Sequence, residues 1–333
     1  MDRFQQLRTI LESGHYFKVV CGAGNEDPEE VFRLSLVYTL AGALGIDVSA
    51  NAEVVRASVR GVETAQEWAA KLGFPLAARP FINVSVGLKG DPHVRKAKID
   101  EAICVRCGAC EIACLQKAII KSTVQAHRCI GCGACASACP VHAISFFTRK
   151  VDFSRILPEC MAAGAETLEL HAIVPDDEAV RADWQQVNDA CPGNFVSMCI
   201  DRSHLSNTHL ERRIRQAREI AGERLVIQAD GAPMSGGEDD YRTTLQAVAI
   251  AEEISKFGIP AMILLSGGTN SKTGELAKLC GLKVNGVSIG TFARKILRSW
   301  IEKDDLATNR EVLVPALEKA RWLVSSTISC ISR

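Results

Sequence analysis

Residues 103–119, ICVRCGACEIACLQKAI, and residues 128–144, RCIGCGACASACPVHAI, carry eight of the chain's 14 cysteines. Cys104, Cys107, Cys110 and Cys114 follow C-x2-C-x2-C-x3-C. Cys129, Cys132, Cys135 and Cys139, followed by Pro140, repeat that pattern 25 residues later. This is the spacing of bacterial two-cluster ferredoxins, in which three close cysteines wrap one cube and the fourth ligates the other. It predicts two [4Fe-4S] clusters, one held by Cys104, Cys107, Cys110 and Cys139 and the other by Cys129, Cys132, Cys135 and Cys114. Gly108, Ala109, Gly133 and Ala134 are small enough to let the backbone approach the inorganic sulfurs. The fourth cysteine of each run is expected at the start of a short helix, although Leu115 stands where the second run has Pro140. Zinc ribbons take their ligands as two separated pairs, which does not match triplets followed by a fourth cysteine.

On either side of this block, short β-branched runs alternate with longer helix-patterned stretches. The runs are Phe17–Cys21, Ile46–Ala50, Phe81–Val86, Thr167–Ala172, Phe195–Ile200, Leu225–Ala229, Ala261–Ser266 and Gly286–Gly290. Between them lie EEVFRLSLVYTLAGA (29–43), EVVRASVRGVETAQEWAAKLG (53–73), LERRIRQAREIAG (210–222) and TTLQAVAIAEEISKFG (243–258). Several of these stretches have apolar residues at i, i+3, i+4 and end on glycine. Strands alternating with helices predict βαβ units and a parallel sheet. Eight runs, with roughly 275 residues left outside the cysteine block, match a (β/α)8 barrel. The expected fold class is therefore α/β: a TIM-like barrel with an inserted bacterial-type 2[4Fe-4S] ferredoxin module. The expected divisions are 1–91 (strands 1–3), 92–150 (the module) and 151–333 (strands 4–8 and the C-terminal helices). The rival, an open doubly wound sheet, lacks a G-x-G-x-x-G after its first strand, and GAGNED (22–27) is too loose to supply one.

A loop after a barrel strand sits at the C-terminal face, where such barrels place active sites, so the module would overhang the barrel mouth. The last two strands run into LLSGGTN (264–270) and GVSIGTFAR (286–294). Gly267, Gly268, Gly290 and Thr291 there form a candidate phosphate site near a helix N-terminus, similar to the grip of FMN-binding barrels. FMN, inorganic phosphate and a phosphorylated substrate fit the same atoms, and the same glycines also serve tight turns. Polar residues fall at or near strand ends: Lys18, Asp47, Asn83, Glu169, His171, Asp201, Gln228 and Asp230. Lys18, His171 and Asp230 are the catalytic candidates. Asp230 opens DGAPMSGGEDD (230–240), a Gly-rich polar loop suited to a mobile lid. Cys21 and Cys199 are expected to face the same region, and the scattered Cys160, Cys191, Cys280 and Cys330 read as core packing.

The chain has 333 residues with Lys+Arg and Asp+Glu both at 39, a net charge of zero that argues against nucleic-acid binding through bulk positive charge. No stretch approaches the roughly 18 apolar residues of a membrane span. The N-terminal MDRFQQLRTILESGHYFK lacks a signal core, so a cytoplasmic protein is expected. In that compartment a dense cysteine set reads as metal binding rather than as disulfides. The module carries nine Lys or Arg (Arg95, Lys96, Lys98, Arg106, Lys117, Lys121, Arg128, Arg149, Lys150) against Asp91, Asp100, Glu101 and Glu111, a balance of +5. That excess suits an acidic redox donor such as a ferredoxin or flavodoxin, or else forms a solvated face.

HYFKVVCGAGNEDPEEVFRLSLVYTLAGALGIDVSA (15–50), the double cysteine motif, QADGAPMSGG (228–237), LLSGGTN and GVSIGTFARK together resemble the light-dependent period protein (LdpA) family of cyanobacteria and its bacterial relatives. The resemblance runs along nearly the whole chain. It implies an iron–sulfur protein that senses cellular redox state and passes it to the circadian clock, with cluster ligands at the eight cysteines named above. Two functions follow from the residues. One is an oxidoreductase component that passes electrons through the clusters to a cofactor or substrate at the mouth, which requires a convergent polar pocket. The other is a non-enzymatic redox sensor or adaptor, which requires a filled barrel and an exposed apolar patch on the module. Clusters with a purely structural role are the third option.

Overall fold

Period-two alternation decides this fold, because it gives each strand one apolar face for the helices and one face of different chemistry for the barrel interior. In the computed structural model, which describes residues 2–76, 78–87, 94–148, 151–202, 205–232 and 235–331, eight parallel strands close into a barrel. They are β1 (Tyr16–Val20), β2 (Gly45–Ser49), β3 (Phe81–Gly87), β8 (Thr167–His171), β9 (Val196–Ile200), β10 (Leu225–Asp230), β11 (Met262–Ser266) and β12 (Gly286–Ile289), with β12 pairing back onto β1. Each lies within one residue of an expected run. Between β3 and β8 the chain makes β4 (Arg95–Ile99), β5 (Ile119–Ile120), β6 (Thr123–Val124) and β7 (Ile144–Thr148). Antiparallel pairing of β4 with β7 ties the two ends of the cysteine block together, and β5 pairs with β6. Much of the stretch where the expected divisions near 91 and 150 fall, residues 88–93 and 149–150, lies outside the described residues.

The barrel is wrapped by α2 (Pro28–Leu40), α3 (Ala52–Leu72), α6 (Phe153–Ala162), α7 (Asp177–Ala190), α8 (Asn207–Ala221), α9 (Tyr241–Lys256), α10 (Thr273–Leu279), α11 (Thr291–Ile301) and α12 (Arg310–Ile331). Their starts are written in the sequence. Asp27 accepts from the N–H groups of Glu29 and Glu30 with Pro28 behind it, and Asn51, Asp176, Ser206 and Asp240 cap α3, α7, α8 and α9 in the same way. The outward strand residues Phe17, Val19, Ile46, Val48, Ile82, Val84, Leu168, Leu170, Ile227 and Val287 are fully buried against these helices.

The inward face is layered. At the N-terminal end Tyr16, Phe81, Val226 and Leu264 form an apolar plug with Leu7 and Leu11 of α1 (Arg3–Glu12). The next layer is polar: Lys18, Asp47, Asn83, Glu169, Ser197, Gln228 and Ser288 are all buried. Branched apolar residues usually fill that level of a (β/α)8 barrel.

Within the cysteine block, α4 (Ala109–Ala113) and α5 (Ala134–Ala138) each begin after a glycine in the left-handed region, Gly108 (φ 77°) and Gly133 (φ 91°). Cys114 and Cys139 therefore follow the ends of these helices in extended conformation, rather than starting a helix as expected. The reversal at each glycine starts the helix one turn earlier, and Pro140 blocks its continuation past Cys139.

Helices α2 and α3 touch through Gly61, where an added Cβ would lie 2.5 Å from the Phe32 carbonyl oxygen and 2.7 Å from Ser35 Cβ. Gly61→Val is expected to destabilise the fold by about 1–3 kcal/mol through overpacking. An unchanged urea midpoint would show that the two helices can separate.

Candidate cluster site and barrel mouth

The structure brings the eight clustered cysteines into two groups. Cys104, Cys107, Cys110 and Cys139 line one recess of about 310 Å³, and Cys114, Cys129, Cys132 and Cys135 line another of about 340 Å³. Each recess thus takes three cysteines from one run and the fourth from the other. Main-chain N–H groups donate to the sulfurs: Ala97 to Cys129 Sγ at 3.3 Å, Arg106 to Cys104 Sγ at 3.4 Å, Ala118 to Cys114 Sγ at 3.3 Å and Ala143 to Cys139 Sγ at 3.3 Å. Four thiols around one recess, with N–H donors aimed at sulfur, fit a cubane cluster. Cys107 is exposed, whereas Cys129 and Cys135 are buried.

The module leans on the loop after β1 and on α11. Lys96, 3% exposed, donates through Nζ to the Gly24 carbonyl and, at 2.9 Å, to the Cys129 carbonyl, with Glu26 at 3.5 Å. Arg128 faces Asp27 at 3.2 Å and Glu30 at 3.7 Å. Arg298 of α11 pairs with Glu30 at 2.8 Å and donates to Gln116 Oε1 at 3.0 Å, and Lys117 pairs with Glu302 at 2.5 Å. Arg95 donates to the Gly131 carbonyl at 2.8 Å and stacks over Phe146. Much of the module's positive charge is thus engaged within the protein, leaving Lys98, Arg106 and Lys121 on its exposed surface. Asp91, Arg149 and Lys150 of the charge count lie outside the described residues.

Above the polar layer, a recess of about 670 Å³ opens at the C-terminal end of the barrel. His171, Cys199, Asp230, Gly267, Gly268, Gly290, Thr291 and Arg294 line it together with Ile130, which lies between Cys129 and Cys132. Beneath it, Glu169 Oε2 accepts from Lys18 Nζ at 2.5 Å, Ser197 Oγ at 3.1 Å, Asn83 Nδ2 at 3.2 Å and Gln228 Nε2. Asn83 Nδ2 and Ser85 Oγ both donate to Asp47 Oδ1 at 2.6 Å. Burial alone would raise the Glu169 carboxyl, but the Lys18 ammonium and the neighbouring His171 outweigh it and hold it well below the usual carboxylate range. Burial would likewise lower Lys18, and Glu169 with Asp47 holds it up. Asp47 is pushed up by burial against the pull of Lys18.

Of the expected catalytic residues, His171 and Asp230 reach the mouth, whereas Lys18 lies one layer below and acts on Glu169. Cys199 faces the recess. Cys21 instead packs in the core between barrel and helices, where burial pushes its thiol far up. Cys160 and Cys191 are buried, but Cys280 is exposed, contrary to the core-packing expectation. Of the loop expected as a mobile lid, residues 233–234 lie outside the described residues, and its last part is tied down: Asn270 Nδ2 donates to the Glu238 and Asp240 carbonyls at 3.0 and 2.7 Å, and Lys295 Nζ to the Gly237 carbonyl at 2.7 Å. Gly268 (φ 72°) lies under this loop, where a Cβ would run into the Thr243 carbonyl and Ser235 Oγ. Ser85, Ser197, Ser288 and Ile130 were not singled out from the sequence. The serines share strand parity with Lys18 and Glu169, and that parity is the signal that could have found them.

Residues 160–326 match the light dependent period A C-terminal domain, and residues 123–145 match a 4Fe-4S binding domain. The chain is 32% identical over 318 residues to Light dependent period A of Synechococcus elongatus, covering 94% of this chain and 86% of that protein. Among solved structures it is similar to the YdjI aldolase from Escherichia coli K12, with TM-score 0.48 and 7% identity, covering 98% of this chain and 94% of that one. It is also similar to dihydrodipicolinate synthase from Bacillus clausii, with TM-score 0.40 and 11% identity over 93% and 80% of the two chains. The matched sequences make this an iron–sulfur protein. No helix among the described residues is long and apolar enough to cross a membrane.

Lys18 and Glu169 are buried together, with side chains 2% and 4% exposed. Lys18→Met is expected to cost about 3–5 kcal/mol by leaving a buried carboxylate without its cation, and adding Glu169→Gln should recover much of the loss. Because the Glu169 carboxyl is held down in the folded state, the pair's contribution is complete above the ordinary glutamate value of about 4.3 and is lost as pH falls through the folded value. Denaturant unfolding of the wild type and both variants between pH 2 and 7 checks this. Equal losses in the single and double variants would contradict it.

Proposed function

Since the chain belongs to the light dependent period A family, we propose that it is an electron-transfer protein whose ferredoxin module serves the mouth of its own barrel. Ile130 carries this reading: its side chain lines the recess of Cys114, Cys129, Cys132 and Cys135 and also the barrel-mouth recess. In this reading the two cysteine quartets hold two [4Fe-4S] clusters and the mouth holds FMN. When bound, the clusters supply one-electron transfer and the flavin exchanges one electron for two.

The protein's own residues set the arrangement. Exposed Cys107 puts one quartet at the outer surface, and Ile130 puts the other against the mouth. The N-terminus of α11 at Gly290 and Thr291 has no side-chain cap, so its N–H groups are available to a phosphate. Arg294, 4% exposed, lines the same recess and donates through Nη1 to the Val20 carbonyl at 2.7 Å. Among the described residues nothing accepts from its buried Nε. The Asp230 carboxylate crowds Gly267, which favours the Gly290 end for an anion. Buried His171 lines the recess above Glu169, whose carboxyl stays ionised beside Lys18.

A second reading, a redox-state adaptor, is favoured by the module's exposed Ile103, Val105, Ile112, Leu115, Ile120 and Phe147. These side chains suit docking of another protein. The convergent polar recess, where a filled barrel would be needed, gives preference to electron transfer. An acidic ferredoxin or flavodoxin remains the proposed donor, meeting apolar side chains with Lys98, Arg106 and Lys121 among them.

Cys107→Ser and Cys132→Ser should each lower iron and sulfide toward one cluster, whereas Cys160→Ser and Cys330→Ser should leave both unchanged. Full iron retention after loss of Cys107 or Cys132 would refute the ligand assignment. Arg294→Gln should lose extractable flavin and keep its iron. Flavin-free wild-type protein, purified anaerobically, would remove FMN from the proposal and leave the adaptor reading. Gly268→Asp is a poorer probe, because its side chain strikes the Thr243 backbone before it reaches the mouth.

Reduction by an acidic ferredoxin should slow more with Ile112→Glu than with a rise in salt from 0.05 to 0.15 M, since among the described residues most of the module's cations are paired within the protein. A rate sensitive to salt alone would return the docking role to charge.

A further inference from the structure

We propose that Glu169, His171 and Cys199 form a mononuclear metal site that takes one zinc(II) ion, separate from the cysteine quartets, with its open coordination position facing the barrel mouth. Glu169 and His171 are two residues apart on β8 and so project from the same face of the strand, and Cys199 on β9 is the register partner of His171. One ligand atom from each lies within 4.8 Å of the others, and the three residues are 3%, 5% and 3% exposed. A thiolate, an imidazole and a carboxylate make a donor set suited to zinc. Among the described residues the site offers three protein ligands, the number found at catalytic rather than structural zinc. All three residues line the recess, so the open position faces it.

The surroundings of Glu169 are built for such a ligand. Lys18, Asn83, Ser197 and Gln228 all donate to Oε2, which fixes the carboxylate and leaves Oε1 toward His171. Outer donors of this kind orient a metal-binding carboxylate. The Oε1 to His171 Nε2 distance is 3.5 Å, long for a hydrogen bond between them. Two ligands on bonds of 2.0–2.1 Å around a tetrahedral ion stand about 3.3 Å apart. Cys199 Sγ, within 4.8 Å of both, is the third ligand. Binding would release the thiol proton, so affinity should rise with pH. The site stands whether or not electrons reach the mouth.

The test uses the cluster-loaded protein and Zn2+ alone. After incubation and desalting, wild type should retain one zinc per chain with iron and sulfide unchanged. Cys199→Ser and His171→Gln should each lose that zinc at unchanged iron, and Cys280→Ser, which removes an exposed thiol, should keep it. Ser197→Ala, which removes one outer donor and spares all three ligands, should weaken binding about 10–100-fold. Zinc-edge absorption should show one sulfur at about 2.3 Å with nitrogen and oxygen at 2.0–2.2 Å. No retained zinc in wild type, or undiminished zinc in Cys199→Ser and His171→Gln, would overturn the site. So would a four-sulfur zinc shell or iron lost as zinc enters, since both place the ion in a cysteine quartet.

Discussion

A lysine ammonium buried between two parts of the chain sets the geometry on which the proposed electron path depends. Lys96 belongs to the first strand of the module, yet its Nζ donates to the Gly24 carbonyl of the loop after β1 as well as to the Cys129 carbonyl. An ammonium that deep is tolerated only when nearly all its donors are met, so the two backbones are held in one relative position. Glu30 does the same from the other side: at 4% exposed, it faces Arg298 of α11 and Arg128 of the module. A module inserted after β3 is thereby turned back over β1 and α11, and Ile130 comes to line the mouth. Without these contacts the insertion point alone would leave the orientation of the cysteine quartets undetermined.

The barrel divides its interior between stability and chemistry. Apolar packing is confined to the plug at the N-terminal end and to the outward strand faces, where the helices cover it. That arrangement leaves the middle layer free to hold charge. Lys18 and Glu169 are placed there with a full set of neutral donors, so neither ion is left without partners in a low-dielectric interior. Filling the same level with leucine and valine would stabilise the barrel at least as well. The polar layer is therefore better explained by what it supports above it than by the needs of the fold.

Legibility in the sequence followed the range of the interactions. The eight strands could be read because alternation is local, and the cysteine runs because ligand spacing is local too. The positions of Cys114 and Cys139 at helix ends depend on the left-handed backbone of Gly108 and Gly133, a conformation that cysteine spacing does not encode. The loop after Asp230 looked mobile from composition. Its last part, at Gly237 and Asp240, is held by Lys295 and Asn270, which are 58 and 30 residues distant from the residues they bind. Charge on the module was countable, but Lys96, Lys117 and Arg128 find partners far along the chain, and a count cannot show that. Ile130 carried no chemical signal, since an isoleucine between two cysteines is ordinary until the barrel mouth is seen beneath it.

Arg294 joins the two halves of the molecule. It lines the mouth beside Gly290 and Thr291 and also lies within the electrostatic reach of Cys132 and Glu30. Burial draws its affinity for a proton down, but a guanidinium starts so high that it stays charged at any physiological pH. One fixed cation is therefore shared between the sulfur side and the mouth side, and the dielectric between them is low. Negative charge gathered on one side weakens what Arg294 offers the other. By linkage, an anion that binds more weakly when the module gains an electron must also make that electron harder to add. The sign of this coupling is set by the geometry, and it is the same for an electron-transfer enzyme and for a sensor. Under the electron-transfer proposal this coupling would release an anionic ligand of the mouth as electrons arrive, and under the adaptor reading it would report the redox state to such a ligand.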